Sequence, residues 1–444
     1  MAESRTLTRY AEIAQLLLKY RKAGVFGGLD MDENVLAEAG KGQDIPEGKP
    51  EQFASDLESL GPTFIKLGQS LSTRPDLVPP EYLKALERMQ DDIAPVAFGE
   101  IAGIVEEELG VRISKAFESF DPEPLAAASL AQVHAATLRG GRRVAVKVQR
   151  PDILGTIRTD LDLISKLAGT IDRFSDVGRR YHFAEWVREF RKTLLGELDY
   201  RLEADNLETF AENLSAYPDI RVPQPVRSLS TGRVLTMDLL DGTKVTKVPD
   251  VARTELDLRT LGETLMQAYL DQVFVHGLIH ADPHPGNVLL LRDGRLALLD
   301  LGMVAHVPPR LRDRLLKFLL AAIDGRGEEA ADIFIEMGTR LEDFAEADFV
   351  RETSRLIAQY NGHAHSGALS EGRLIMELTR MAAAHGLRTP PELSLLGKTL
   401  LNLEAVSAAL DPSMDVRGVI EHHLHQVMRK RVFKSFSPSQ LASE

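Results

Sequence analysis

The chain has 444 residues, of which 44% are hydrophobic and 27% are charged, a composition typical of globular proteins with about two to three domains. It contains no cysteine, which excludes disulfides, thiolate metal sites and a cysteine nucleophile. Its net charge of −13 argues against a nucleic-acid partner, because binding to a phosphate backbone needs a basic surface.

Basic residues are concentrated at the two ends of this acidic chain, at residues 1–25 and 421–444. The simpler explanation is that they lie on solvated helix faces, and the alternative is contact with an anionic membrane surface. No run approaches the ~18 apolar residues that cross a bilayer, and the N-terminal residues lack the apolar core of a signal peptide. We therefore expect a cytoplasmic protein without a transmembrane helix, with peripheral contact with the inner membrane as the alternative.

The N-terminal part of the chain is expected to be helical and is followed by strands. Apolar periodicity predicts helices at residues 5–22 and 52–73, from Pro80 onward, and over 98–109. From Leu125 to Gln149 the pattern alternates as it does in strands, with a two-residue hairpin turn at Gly140-Gly141.

Helices dominate the rest of the chain. The pattern predicts long helices over 153–174 and 183–214, a strand over 234–240, a helix over 258–275, and a second hairpin of residues 288–291 and 296–299 with its turn at Asp293-Gly294. Nearly all of the chain after Pro308 is expected to be helical. We therefore predict three parts: a helical N-terminal extension (1–120), a small β-containing lobe (121–242) and a mostly helical lobe (243–444).

The segment before the second hairpin is dense in polar residues, with the sequence His280-Ala281-Asp282-Pro283-His284-Pro285-Gly286-Asn287. A two-residue turn at Asp293-Gly294 would place Asn287 directly opposite Asp300, ~5 Å away. An amide oxygen beside a carboxylate suits Mg²⁺, and Asp282 on the same loop is placed to accept a proton from a nucleophile. Two alternatives remain: zinc bound by His280, Asp282 and His284, or a purely structural turn.

Lys147 is a lone cation between valines on a predicted strand, and it has candidate partners on the helix over 183–214. Of these partners, Asp199 and Glu203 share one face, whereas Glu197 lies about 240° from Glu203, so the three carboxylates cannot all pair with one lysine. The alternative is an exposed lysine and a solvated acidic helix face.

A segment of small residues, Ala126-Ala127-Ala128-Ser129, lies upstream of Lys147. Small side chains allow backbone N–H groups to approach an anion, although alanine is less permissive than glycine. A short apolar strand segment is the alternative.

Together these motifs resemble the UbiB (AarF) family of atypical protein-kinase-like proteins, over about residues 50–310. The similarity to kinase motifs assigns Lys147 to ATP contact, Glu203 to the helix glutamate that pairs with it, and Asp282 to the catalytic aspartate. It assigns Asn287 and Asp300, the latter within Asp300-Leu301-Gly302, to metal binding.

Three further motifs are specific to that family. Lys66-Leu67-Gly68-Gln69 resembles its KxGQ motif, Ala126-Ala127-Ala128-Ser129 its alanine-rich nucleotide loop, and Glu197-Leu198-Asp199 its ExD motif. Lys66 and Gln69 are three residues apart and share a helix face. In that family the KxGQ lysine pairs with the ExD carboxylates, and protein phosphorylation is suppressed or unproven, which implies a regulatory role for Lys66, Gln69, Glu197 and Asp199.

The resemblance implies an α+β, bilobal protein-kinase-like fold with ATP and Mg²⁺ as cofactors and ATPase or phosphotransferase activity. The backbone of Met237, Asp238 and Leu239 would contact adenine. It also implies a role in isoprenoid-quinone (ubiquinone) biosynthesis or lipid homeostasis, with an isoprenoid lipid or quinone-biosynthesis proteins as partners. Two alternatives are a small-molecule kinase of the aminoglycoside-phosphotransferase type, which lacks a counterpart of residues 60–76, and a non-catalytic nucleotide-sensing scaffold.

Overall fold

The computed structural model describes residues 2–20, 47–75, 77–86, 88–89, 93–174, 183–362 and 370–435. The chain forms two compact units, the first of residues 1–205 and 225–239 and the second of residues 206–224 and 240–444. The helical N-terminal part and the first sheet therefore belong to one unit. Our division into an N-terminal extension and two lobes at residues 120 and 242 stays a prediction.

The first half of the described chain is mainly helical. Its elements are α1 (Ala2–Tyr20), α2 (Pro50–Ser59), α3 (Pro62–Leu71), α4 (Pro80–Leu86), α5 (Phe98–Leu109), α6 (Ile113–Ala116), β1 (Ser119–Ala127), β2 (Ala131–Thr137), β3 (Arg143–Gln149), α7 (Ile153–Phe174), α8 (Phe183–Glu197) and α9 (Tyr200–Asn213). The helix predicted over 98–109 has these bounds, and the helix predicted over 5–22 is observed up to Tyr20, beyond which its end lies outside the described residues.

The second half contains short strands between helices. Its elements are β4 (Ile220–Arg221), β5 (Val234–Asp238), β6 (Gly242–Lys244), α10 (Asp250–Glu255), α11 (Leu258–Asp271), β7 (Leu278–His280), β8 (Val288–Leu291), β9 (Leu296–Leu298), β10 (Val304–His306), α12 (Pro309–Ile323), α13 (Gly327–Met337), β11 (Thr339–Arg340), α14 (Glu346–Gly362), α15 (Glu371–Ala384), β12 (Leu387–Arg388), α16 (Pro391–Leu410) and α17 (Val416–Ser435). The prediction of helices after Pro308 is therefore confirmed, apart from the two-residue strands β11 and β12.

One predicted helix, over residues 52–73, is in fact two. Gly61 has a φ of 89°, a left-handed conformation that glycine adopts at little cost, and Pro62 begins α3 with a preset φ and no N–H to satisfy. The sequence Gly61-Pro62 thus ends α2 and sets the position of α3, the helix that carries Lys66.

The predicted helix over residues 183–214 is also interrupted. Helix α8 ends at Glu197 and α9 begins at Tyr200. The side chain of Gln149 donates to the carbonyl of Leu198, and the Tyr200 amide donates to the carbonyl of Gly232 at 3.0 Å. Because these backbone groups are satisfied by distant parts of the chain, the helix can break without a local stop signal.

The sheet of the first unit has the antiparallel order β1-β2-β3-β5. On one face of β3, Val144, Val146 and Val148 are 0% exposed and pack in a core with apolar residues of α5. Lys147 lies on the other face, as the alternation predicts. The β2–β3 hairpin has a three-residue loop at 139–141, since Leu138 donates to Arg142, so the predicted two-residue turn is one residue too short.

The second unit contains a four-stranded sheet of order β4-β9-β8-β6 and the pair β7-β10. Helices α11 to α17 make up most of the remainder. Within the described ranges, α16 is the one helix that is long and apolar enough to pass as a membrane span by length and composition. Of its most apolar window, 56% is buried inside the protein, which is also typical of a core helix.

Candidate functional site

Lys147 forms a close ion pair with Glu203 in the first unit. Its Nζ lies 2.9 Å from both Oε1 and Oε2 of Glu203, and the two side chains are only 15% and 4% exposed. The Nζ also lies 5.4 Å from the centre of the Tyr200 ring, within cation–π range. Removing either side chain would leave the other as an unpaired charge that is shielded from solvent. Loss of one partner is therefore expected to destabilise the fold strongly.

The start of α9 explains why Glu203 reaches this lysine. The helix begins at Tyr200, so Glu203 lies in its first turn, where the helix dipole favours a negative charge. The break at Leu198-Asp199 separates Glu203 from Glu197, which is the last residue of α8. Of the three carboxylates considered for Lys147, the structure therefore brings Glu203 to it.

Lys66 forms a second ion pair, with Glu197. Its Nζ lies 2.8 Å from Oε2 of Glu197, and the side chains are 15% and 12% exposed. Asp199 accepts two hydrogen bonds from the Arg201 guanidinium, each at 2.8 Å, which hold the pKa of Asp199 below its usual range. The two carboxylates of the predicted ExD motif thus pair with different cations.

The motif around Lys66 also serves packing. Gly68 faces the interior, where an added Cβ would lie 2.4 Å from Sδ of Met89 and 3.1 Å from a methyl of Leu57. Only a residue without a side chain allows this approach. Lys66 and Gln69, on the partly exposed face of α3, are both half-buried.

The alanine-rich segment lies at the tip of the β1–β2 hairpin. Leu125 is 54% exposed and Ala126 is exposed, which does not fit a buried apolar strand. Ala127 pairs with Gln132 in the sheet, and the amide of Ala128 donates to Ala131 at 2.8 Å within the turn. The carbonyl of Ala128 accepts from Arg150, and the next residue, Ser129, is buried.

The predicted adenine-contacting residues lie at the end of β5. Met237 is 8% exposed and pairs with Ala145, and Asp238 pairs with Val144 and accepts hydrogen bonds from Arg142. The Leu239 amide donates to the carbonyl of Arg143 at 3.3 Å. The predicted strand over 234–240 therefore ends at Asp238, two residues early.

The geometry of the second hairpin corrects our predicted register. Val288 pairs with Leu298, and Leu291 donates to Arg295 at 2.8 Å, so the loop has three residues, 292–294, with Gly294 at a φ of 81°. A three-residue hairpin loop takes glycine in this left-handed position. The prediction that Asn287 faces Asp300 directly is therefore wrong, because each partner is shifted by one residue.

Asn287 and Asp300 nevertheless lie at the same end of this hairpin. The Leu299 amide donates to the Asn287 carbonyl at 2.8 Å, and Asp300 is the next residue. Asp300 is exposed and has a φ of 58°, a strained conformation for a residue with a side chain. Such strain persists where the surroundings enforce it and clusters at functional sites.

A buried histidine ends β7, directly before the loop that leads to β8. His280 is 0% exposed, its Nδ1 lies 2.6 Å from the Tyr269 hydroxyl, and its amide donates to Gln272. Burial lowers the pKa of His280, and the neighbouring Asp282 and Asp300 carboxylates only partly offset this effect. Both acids therefore lie close to one neutral imidazole.

The zinc alternative gains no support from this arrangement. His284 is exposed, and its Nδ1 accepts from the Gly286 amide at 3.1 Å. Across the described ranges there is no group of three or more His, Cys, Asp or Glu side chains that could hold a metal ion. The donors that remain at the hairpin end are the amide oxygen of Asn287 and the carboxylate of Asp300, which suit Mg²⁺.

Three residues near this loop were missed in the sequence analysis. Asn402 Nδ2 donates to Asp282 Oδ1 at 3.2 Å, Thr399 Oγ1 donates to the Ala281 carbonyl at 3.1 Å, and Asn206 Nδ2 donates to the Leu301 carbonyl at 2.9 Å. For two of them the sequence offered one signal, since Thr399 and Asn402 lie three residues apart and share a face of the largely apolar helix α16.

Protein kinases combine a strand lysine paired with a helix glutamate and a catalytic loop that carries Asp and Asn, followed by a metal-binding aspartate. This chain has the same combination. Residues 88–333 match the ABC1 atypical kinase-like domain, and residues 354–415 match the UbiB helical domain. The chain belongs to the ABC1/UbiB family of atypical kinase-like proteins, and the predicted α+β kinase-like fold is confirmed.

Relatives of this chain span most of its length. A probable protein kinase UbiB of Marinobacter nauticus is 34% identical over 385 residues, covering 85% of this chain and 69% of that protein. A probable protein kinase UbiB of Azotobacter vinelandii is 35% identical over 380 residues, covering 85% and 71%. The solved complex of Mycobacterium tuberculosis Rv3197 with erythromycin is similar at a TM-score of 0.57 and 26% identity, covering 83% of this chain and 94% of that chain.

Proposed function

We propose that this protein binds ATP with Mg²⁺ and hydrolyses it or transfers its phosphoryl group, as an atypical kinase of the UbiB type. The observation that carries the proposal is the buried Lys147–Glu203 pair, in which both carboxylate oxygens contact one ammonium group. Because the side chains of Lys147 and Glu203 are only 15% and 4% exposed, the attraction of the ammonium group to a phosphate would be weakly screened by solvent. A lysine that served only for solubility would lie in solvent.

The roles of the residues follow from their chemistry. Lys147 would contact the α- and β-phosphates while Glu203 fixes its position, and Asp282 would orient the attacking hydroxyl or water. Asn287 and Asp300 would hold Mg²⁺, which when bound supplies neutralisation of the phosphate charge. The hairpin tip at Ala126–Ser129 and the backbone of Met237–Leu239 complete the proposed nucleotide contacts.

The pair Lys66–Glu197 supports the UbiB type over a small-molecule kinase. Residues 60–76 have no counterpart in the latter group, and here they include α3, which positions Lys66 against the end of α8. We propose that Lys66, Gln69, Glu197 and Asp199 regulate which substrate receives a phosphoryl group.

A role in isoprenoid-quinone biosynthesis or lipid homeostasis is part of the proposal, supported by relatives named UbiB. The basic termini give little support to membrane contact. Arg9 pairs with Asp160 at 2.7 Å, Lys19 with Asp56 at 2.6 Å, and Arg431 with Asp313. These three cations are therefore already used within the fold, whereas Arg429 and Lys430 on α17 are exposed.

The proposal is tested by titrating ATP, with and without Mg²⁺, against wild type and Asp300→Asn and following the melting temperature. Wild type should be stabilised more strongly with Mg²⁺, and Asp300→Asn should lose that Mg²⁺-dependent part, because the amide replaces a charged ligand. Asp293→Asn is the matched control, since it removes a carboxylate in the loop of the same hairpin. Equal nucleotide affinity in wild type and Asp300→Asn would contradict the proposed metal site.

A further inference from the structure

Helix α16 brings two polar side chains to the loop that carries Asp282. Thr399 and Asn402 are three residues apart and therefore on one face of the helix. Thr399 Oγ1 lies 3.1 Å from the carbonyl of Ala281 and 2.9 Å from that of Leu395, so its one proton is shared between the two acceptors. Asn402 Nδ2 donates to Oδ1 of Asp282 at 3.2 Å. Two consecutive loop residues are thus held by one helix, through the backbone of the first and the carboxylate of the second.

These contacts join two parts of the chain that match different domains. Asp282 lies within the match to the kinase-like domain, whereas both helix residues lie within the match to the helical domain at residues 354–415. Thr399 is 0% exposed and Asn402 is half-buried, in a helix whose other buried residues are mostly apolar. A polar group in such surroundings costs free energy unless it finds a partner, so both contacts restrict how the helix and the loop fit together.

The chemistry of the amide suits a base that must stay active. A neutral N–H donor fixes the rotamer of a carboxylate and leaves its second oxygen available, whereas lysine or arginine would also neutralise its charge. The negative charge of Asp282 also acts to raise the pKa of both His280 and Tyr269. Among the described residues, the side chain that donates to the Asp282 carboxylate is that of Asn402 on α16.

We propose that Asn402 is a positioning residue that orients the Asp282 carboxylate for the chemical step, with Thr399 fixing the loop backbone. The inference rests on the proposed function, in which Asp282 orients the attacking hydroxyl or water. It assigns to the helical domain an indirect part in catalysis, through the orientation of Asp282.

The first test is steady-state hydrolysis of MgATP by Asn402→Leu, which removes both polar atoms at similar volume. The kcat should fall by between about 10-fold and 100-fold while KM for ATP stays within about 2-fold, because misplacing a reacting group affects the chemical step. A loss of ATP affinity with unchanged kcat would overturn the positioning role.

The second variant, Asn402→Asp, keeps the shape and replaces the donor with a like charge. A second carboxylate disfavours ionised Asp282, so the acidic limb of the pH–rate profile should move upward by roughly one pH unit. Ala408→Asp adds the same charge at an exposed position of α16 and should leave the wild-type profile unchanged. If both aspartate variants share the wild-type profile, the contact has no catalytic consequence.

Asp282→Asn separates the two proposals. If this variant and wild type turn over ATP equally, or if wild type has no turnover, the proposed function fails and the inference fails with it. If Asp282→Asn abolishes turnover while both Asn402 variants behave like wild type, only the inference is overturned.

Discussion

Glu404 on α16 is a buried carboxyl group for which the structure predicts a measurable pH dependence of stability. Burial raises its pKa from 4.5 to about 7; nearby Glu371 adds to this effect, and Ser370, Gly372 and Arg373 oppose it. Its Oε1 is buried and has no hydrogen-bond partner within the part of the chain that the structure describes. The fold therefore favours the neutral acid.

The size of the effect follows from the difference between the folded and unfolded pKa. A shift from 4.5 to about 7 corresponds to about 3 kcal/mol at 1.36 kcal/mol per unit. Because the folded protein holds the proton more tightly, this stabilisation is fully present below pH 4.5 and is lost as the pH rises through 7. Most of the loss falls between pH 5 and 8.

The measurement is urea unfolding of wild type and Glu404→Gln across that range, followed by far-ultraviolet circular dichroism. Glutamine mimics the protonated acid, so the free energies of unfolding should lie within about 1 kcal/mol of each other at pH 5, and the variant should be more stable by about 3 kcal/mol at pH 8. Glu392→Gln, in the first turn of the same helix, should keep the wild-type pH dependence. Parallel curves for wild type and Glu404→Gln would refute the reasoning.

Two further predictions concern the ion pairs of the first unit. Glu203→Gln leaves the ammonium of Lys147 buried without a counter-charge, and should lower the free energy of unfolding by about 3 kcal/mol and weaken ATP binding in calorimetric titration; equal affinity would argue against a nucleotide role for the pair. Lys66→Ala should change the preference among nucleotides or raise autophosphorylation, measured with labelled ATP, and Glu197→Gln should have the same effect because it removes the same contact. If both variants behaved like wild type, α3 would have a structural role and no regulatory one.

The hairpin at residues 288–299 shows what local sequence can and cannot predict. Alternation and Asp293-Gly294 predicted both strands and the position of the loop, because apolar periodicity and turn residues are local signals. Loops of two and three residues accept the same Asp-Gly sequence, so the register was predicted one residue out, and Asn287 lies opposite Leu299. The carboxylate of Asp300 is nevertheless at the expected end of the hairpin.

Contacts distant in sequence account for the other differences. The break between α8 and α9 depends on Gln149 and Gly232, and the partner of Asp282 lies 120 residues further along the chain. No periodicity or turn signal encodes such contacts, since they arise only when the fold is formed. The choice of Glu203 for Lys147 could be inferred from the resemblance, whereas helix geometry alone left it open.

The contact between α16 and the Asp282 loop has a consequence for how this protein is divided for study. A chain cut at residue 333, where the match to the kinase-like domain ends, would retain every motif residue named above. It would lack the amide that holds the Asp282 carboxylate and the hydroxyl that holds its neighbour's carbonyl. An inactive fragment of that length would therefore say nothing about whether the full-length protein is a pseudoenzyme.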